Sequence, residues 1–345
     1  MKKLLPLLFI VTSVTFVYAG AGRQAGGGSK KAIGAIWYQF SDTFIAMARN
    51  TLNEAVNKEG VYTIQDADSK FDLATETDNM RNMLTKGVDY LVFNTFNTAG
   101  VGNIINEVTG AGTTLLITNG NPMTDELWKL SDKVWVVSSM SEQSGQIMGQ
   151  HAVKYWKANP QADRNKNGKL DYIMLLGIPD HNDTINRATY SISEIEKAGI
   201  ATNKLQEMIC NYQRVDAMNA VQSIVAARRN DIDFIFACND DMALGAIEAL
   251  KAAGFFKGAD SYLPVVSVDA TAVAQEALKE GTLLGTALNN PIKLANAAYK
   301  LIKLLDAGQA VNTQSIGIPG VRVDNRYVII DYIGIDKSNV ADARY

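Results

Sequence analysis

From Lys31 onward the chain repeats one arrangement: an apolar run of strand length, then a stretch with helical spacing. Ala32–Trp37 leads into 44–57, where Ile45, Ala48, Leu52 and Ala55 share one helical face. Residues 90–93 lead into 100–109, and Thr114–Thr118 closes the first set. The scheme restarts at 172–176, which leads to a helix ending at Ala198 and Gly199. Phe234–Ala237 then leads into 242–253, stopped by Gly254, and Val265–Val268 leads into 272–279, stopped by Gly281. Runs apolar on both faces and separated by helices are parallel strands covered on both sides. Two successive sets predict an α/β fold class with two doubly wound, Rossmann-like lobes.

The length of 345 residues suits two such lobes. A net charge of −3 excludes a surface built for nucleic acid. Lys2 and Lys3 precede an apolar run from Leu4 to Val17, and Val17, Tyr18 and Ala19 present a cleavage pattern. Residues 1–19 therefore read as a signal peptide, 20–30 as a glycine-rich flexible linker, and the mature chain as exported to the periplasm. No later stretch reaches the roughly 18 apolar residues of a membrane span. The two cysteines, Cys210 and Cys238, lie far from the cleavage site, so neither would carry a lipid anchor. Both are expected to be buried free thiols.

In open α/β sheets ligands bind beyond the carboxyl ends of the strands. Those ends are polar here: Tyr38 and Asp42 after the first strand, Asn119 after Thr114–Thr118, and His181, Asp183 and Arg187 after 172–176. Asn239 and Asp240 follow Phe234–Ala237, Asp269 follows Val265–Val268, and Asn289 follows 284–288. Helix capping accounts for Asp240 or Asp241 and for part of Asp42. The rest suit a small hydroxyl-rich ligand, because carboxylates accept, Arg donates and Asn does both. Phe44 and Tyr212, the latter after a strand at 205–210, offer flat rings for the C–H faces of a pyranose. An enzyme is disfavoured. Arg187 and the asparagines hold carboxylates ionised rather than raising an acid, and no dinucleotide fingerprint follows a strand. A sugar-responsive repressor would need a helix-turn-helix where the signal segment stands.

Residues 163–171 read Asp163, Arg164, Asn165, Lys166, Asn167, Gly168, Lys169, Leu170, Asp171. Oxygen side chains fall at loop positions 1, 3, 5 and 9, glycine at 6, and the carbonyl of Lys169 at 7, which is the spacing of a calcium loop. Position 12 is Met174, so a distant carboxylate would have to complete the site.

Together these residues resemble the periplasmic galactose/glucose-binding protein family over nearly the whole chain from Lys31. The resemblance is carried by Ile36-Trp37-Tyr38-Gln39-Phe40-Ser41-Asp42-Thr43-Phe44 and by Gly177-Ile178-Pro179-Asp180-His181-Asn182-Asp183 continuing to Arg187. Cys238-Asn239-Asp240-Asp241-Met242-Ala243-Leu244-Gly245, Val266-Ser267-Val268-Asp269 and Asn289 complete it. It implies a type I periplasmic binding protein that captures glucose, galactose or both between its lobes, delivers the sugar to an ABC permease and serves a chemoreceptor, as a monomer with structural calcium. The implied sugar contacts are Asp42, Asn119, His181, Asp183, Arg187, Asn239, Asp269 and Asn289, with Phe44 stacking and Tyr212 where the family has a Trp. Asp233 stands where the family's distant calcium ligand is a Glu. The resemblance also implies three chain crossings, near Ser139, Asn289 and Arg326. They divide the chain into 31–138 plus 290–325 and 140–288 plus 327–345.

Overall fold

The computed structural model describes residues 30–120, 123–258 and 261–344. The segment expected to be a signal peptide and, apart from Lys30, the expected linker lie outside the described residues. Lys31–Tyr345 forms one compact unit. Among the described residues no helix is long and apolar enough to cross a membrane.

The first half alternates β1 (Ala32–Trp37), α1 (Thr43–Glu59), β2 (Thr63–Asp68), α2 (Leu73–Thr85), β3 (Tyr90–Asn94), α3 (Val101–Gly110), β4 (Thr114–Thr118), α4 (Asp125–Trp128) and β5 (Val134–Ser139). The second half runs α5 (Ser141–Ala158), β6 (Leu170–Leu176), α6 (Asn182–Lys197), β7 (Thr202–Ile209), α7 (Arg214–Arg228), β8 (Phe234–Ala237), α8 (Asp240–Ala252), β9 (Val265–Val268), α9 (Ala272–Glu280) and β10 (Gly285–Leu288). The chain ends with α10 (Pro291–Asp306), α11 (Thr313–Ile316), β11 (Val321–Asp324), β12 (Tyr327–Ile330) and β13 (Ile333–Asp336).

Two sheets result, in the orders β11-β12-β5-β4-β3-β1-β2 and β13-β10-β9-β8-β6-β7. Pairing is parallel except for the terminal pairs β11–β12 and β10–β13. In the first sheet β1 lies between β2 and β3, and in the second β6 lies between β7 and β8. These are the points where strand order reverses, and crevices open there at the strands' carboxyl ends.

Burial follows the pleat. Ile33, Ala35 and Trp37 of β1 pack with α1 and α10 on one face, while Ile36 packs with Leu91, Met80 and Ile105 on the other. The second lobe has one continuous core around β6, β8 and β9. Asp42 caps α1 by accepting from Ile45 N at 2.9 Å, and Gly60 ends that helix in the left-handed region at φ 64°.

The chain passes between the sheets after β5, after β10 and after β12. The third passage differs from the expected one. Tyr327–Ile330 pairs in parallel with β5 and belongs to the first sheet, so the crossing is Asp331–Tyr332 and not Arg326. Residues 327–330 thus leave the second lobe. Arg326 instead sits in the β11–β12 turn, where it donates to Trp128 O at 2.9 Å and its guanidinium lies 4.5 Å from the Trp128 ring centroid.

Candidate ligand-binding site

One small pocket between the lobes is lined by Tyr38, Asp42, Phe44, Asn119, His181, Asp183, Arg187, Tyr212, Asn239 and Asp269. Ten of the eleven side chains expected from the strand ends therefore meet at one place. Asn289 stands behind the wall: its Nδ2 donates to Asn119 Oδ1 at 3.3 Å, and its Oδ1 accepts from Ser139 Oγ at 3.1 Å.

The two switch points supply most of the polar groups. Asp42 follows β1; its second oxygen accepts from Tyr38 Oη at 2.5 Å. His181, Asp183 and Arg187 follow β6. Arg187 Nη2 donates to Asp183 at 3.0 Å, one helical turn back along α6. Arg187 Nη1 donates to Cys238 O at 2.7 Å, and its buried Nε makes no hydrogen bond among the described residues. Asn239, not Asp240 or Asp241, caps α8: its Oδ1 accepts from Met242 N at 3.0 Å. Asp240 is buried behind it, accepting from Ser267, Thr271 and Thr286, so it holds β9 and β10 together. Asp241 faces outward, accepting from Arg214 at 2.7 Å and from Thr43, across the cleft, at 2.9 Å.

Local backbone turns aim these groups. Asn119, Tyr212 and Asp269 have φ of 51°, 62° and 118°. Conformations rare for non-glycine residues cluster where structure must present a side chain to a ligand. The Tyr212 ring lies so close to Gly177 that a Cβ there would stand 2.1 Å from it. Its hydroxyl bonds Thr184 Oγ1 at 2.7 Å, and its ring meets His181 edge-on.

Burial governs the electrostatics. It raises the Asp42 carboxyl above its usual range, opposed by the hydrogen bonds from Tyr38 and Ile45. It raises Asp269 well above the usual range, against the pull of Arg187, so burial outweighs the expectation that Arg187 and the asparagines hold these carboxyls ionised. It lowers His181, which is therefore a neutral ring near pH 7. Burial also disfavours the Arg187 charge, but Tyr332, Asp183 and Asp269 around it outweigh that and keep the guanidinium cationic. The pocket thus mixes a fixed cation, acceptors and neutral donors, a set that pairs with hydroxyls in both senses. Cys210 and Cys238 are free and buried, their thiols pushed up by burial to about 11 and about 12.

The loop at 163–171 folds on itself. Asp163 accepts from Asn167 N at 3.1 Å and Gly168 N at 2.9 Å, and Gly168 turns at φ 76°. Asn165 and Asn167 both donate to Asp171 Oδ2, at 2.7 and 2.6 Å. Asp233 reaches the loop, accepting from Arg164 N at 2.9 Å and Asp171 N at 3.0 Å. Burial, and then the charges of Asp171 and Asp163, push Asp233 up to about 6. Among the described residues no three Asp, Glu, His or Cys side chains stand in metal-holding geometry. The asparagine Oδ1 atoms face the loop backbone, accepting from Asn167 N at 3.0 Å and Lys169 N at 2.8 Å. Oxygen ligation from both asparagines at Asp171 would require their amides to turn and give up those backbone bonds, in exchange for an ion between Asp163, Asp171 and Asp233.

A family model described as a periplasmic binding protein domain matches residues 33–310. The chain belongs to the periplasmic binding protein family. It is a binding protein and not an enzyme. It is 29% identical over 334 residues to the D-galactose/methyl-galactoside binding periplasmic protein MglB of Haemophilus influenzae, covering 96% of this chain and 98% of that one. It is 24% identical to a xylitol-binding protein of Mycolicibacterium smegmatis, over 94% of this chain and 86% of that one. Its fold matches an ABC transporter solute-binding protein from Bacillus halodurans, solved with bound myo-inositol: TM-score 0.76 at 23% identity, covering 92% and 98% of the two chains.

Within this periplasmic binding protein, sequence reasoning missed the residues that support the pocket from behind. Thr184 anchors Tyr212, and Tyr332 accepts from Arg187 Nη2 at 3.2 Å. Tyr332 follows the carboxyl end of β12 by two residues, but no strand was expected at 327–330, so the strand-end rule was not applied there.

Proposed function

We propose that this periplasmic binding protein captures a hexose, glucose or galactose, in the inter-lobe pocket and hands it to an ABC permease. The observation that carries the reading is the convergence of Asp42, Asn119, His181, Asp183, Arg187, Asn239 and Asp269 with Phe44 and Tyr212 on one small pocket. Each hydroxyl of a pyranose can find a donor and an acceptor there, and charge-assisted bonds are the stronger kind. The aromatic walls accept its C–H faces. The names of the Haemophilus and Mycolicibacterium relatives and the myo-inositol in the Bacillus structure all concern polyhydroxylated molecules. Closure about the three crossings traps the ligand and forms the surface read by the permease, and by a chemoreceptor as a second partner. The protein works as a monomer, exported by its N-terminal signal segment. N-terminal sequencing of the exported protein checks the cleavage after Ala19.

Isothermal titration with D-galactose, D-glucose, D-xylose, D-ribose and myo-inositol tests the ligand. Tightest binding to one of the two hexoses is expected. Binding confined to pentoses or inositol would overturn the hexose assignment, and no binding at all would overturn the ligand class.

Calcium is the second part of the proposal. Asp163, Asn165, Asn167, Asp171 and Asp233, with the Lys169 carbonyl, would hold it through oxygen, and the ion would relieve the repulsion that raises Asp233. Calcium binds the native loop, so removing it with a chelator should lower the melting temperature, and re-addition should restore it. An unchanged melting curve, with no heat on titrating calcium, would exclude the site.

A further inference from the structure

The three crossings are joined by side chains, and the links run into the pocket. Ser139 Oγ at the first crossing donates to Asn289 Oδ1 at the second, at 3.1 Å. Gln143, in the first turn of α5, grips the third crossing from both sides. Its Oε1 accepts from Tyr332 N at 3.0 Å, and its Nε2 donates to Tyr332 O at 3.4 Å. The Tyr332 hydroxyl, 4% exposed with its ring, accepts from Arg187 Nη2 at 3.2 Å. Tyr332 does not line the pocket, whereas Arg187 does.

We propose that Tyr332 is a positioning residue: it fixes the Arg187 guanidinium in its ligand-holding orientation and so couples the third crossing to occupancy of the pocket, with Gln143 as its anchor. The inference rests on the sugar-binding reading and names how that site is coupled to the hinge. Nη1 of Arg187 is held by the Cys238 carbonyl, and Nη2 is shared between Asp183 and Tyr332. Cys238 and Asp183 belong to the second lobe, and the Tyr332 ring packs in that lobe's core. The Tyr332 backbone, however, lies between β12 of the first sheet and β13 of the second, so of these partners Tyr332 alone stands on a segment joining the lobes. Crossing segments absorb the backbone rotation of closure. Rotating Tyr332 breaks its two main-chain bonds to Gln143 and withdraws its hydroxyl from Arg187. By reciprocity, a ligand that holds Arg187 in place holds the crossing in place.

Tyr332→Phe keeps the ring and removes the oxygen. It should raise the dissociation constant for D-galactose or D-glucose, whichever the native chain binds, by about tenfold. The change should lie in faster dissociation measured by stopped flow. Gln143→Ala should weaken binding in the same direction by about threefold, although it lies away from the pocket. Sugar should slow amide exchange at 331–333 in the native chain and much less in Tyr332→Phe, a difference that a merely structural role would not produce. Unchanged affinity and dissociation in Tyr332→Phe, with only a lowered melting temperature, would overturn the inference and leave the sugar reading standing. If the native chain bound neither hexose, the sugar reading would fall first and take this inference with it.

Discussion

Asp42 serves two structures with one carboxylate, and two substitutions separate them. One oxygen caps α1 and the other accepts from Tyr38 at the pocket wall. Asp42→Ala should lose about 1 kcal/mol of stability with the cap, and about 1–3 kcal/mol of sugar affinity with the acceptor. Asp42→Asn keeps a capping oxygen, so it should keep most of the stability and still bind sugar more weakly. Thermal denaturation and calorimetry on the pair check this. Glu76 illustrates burial that outweighs its hydrogen bonds. One of its oxygens accepts from Thr95 at 2.8 Å, and burial pushes the carboxyl up to about 7 against the hydrogen bonds from Thr95 and the Phe96 backbone. A carboxyl raised on folding favours the native state at low pH, and the benefit fades as pH rises from about 4.5 through about 7. Glu76→Gln should therefore match the native chain near pH 5 and exceed it near pH 8, by up to roughly 3 kcal/mol. Equal pH dependence of the two melting temperatures would refute this.

At the scale of elements, α5 and α6 pack with their backbones nearly touching. A Cβ on Gly149 would stand 2.5 Å from Ser191 O, and one on Gly145 would stand 2.8 Å from Asn186 O. Backbone carbonyls cannot swing aside as a side chain can. Gly149→Ala should cost about 1–3 kcal/mol by overpacking. Gly110→Ala, at the end of α3 with nothing within 4 Å, should be neutral or gain about 0.5–1 kcal/mol. Chemical denaturation of both variants tests the contrast. Legibility varied at this scale for a physical reason. β1, β4, β8 and β9 are interior strands, apolar on both faces, and their limits were plain in the sequence. β2 reads Thr-Ile-Gln-Asp-Ala-Asp and lies at a sheet edge, where Asp66 accepts from Asn53 at 3.0 Å; without two buried faces it has no apolar run to betray it.

Across the whole molecule, polar contacts at the cleft rim join the lobes beside an aromatic pair. Thr43 donates to Asp241 at 2.9 Å, Gln213 to Gln39 at 3.1 Å, and Thr98 to the Asp180 carbonyl at 3.1 Å. Phe71 and Phe96, stacked with centroids 4.9 Å apart, pack against the cores of both lobes. Thr43→Val removes one rim bond, a net contribution of roughly 0.5–1.5 kcal/mol. The variant should bind sugar a few-fold more weakly, and its ligand-free radius of gyration by small-angle scattering should increase. An unchanged radius and affinity would show that this bond does not hold the lobes together.

The sequence by itself determined the two-lobe α/β architecture, because strand and helix periods are local and alternate twice. It also determined most of the pocket, since the rule that ligands sit at strand ends needs only strand limits and the polar residues after them. Tertiary structure decided what depends on which strands become neighbours. It carried Tyr327–Ile330 into the first sheet, moved the last crossing to Asp331–Tyr332, and gave Asn239 the capping role expected of the residues after it. It also set Asn289 behind the wall and brought Tyr332 to Arg187, 145 residues apart in the chain. Such placements follow from strand pairing and crossing geometry, which no short window of sequence contains.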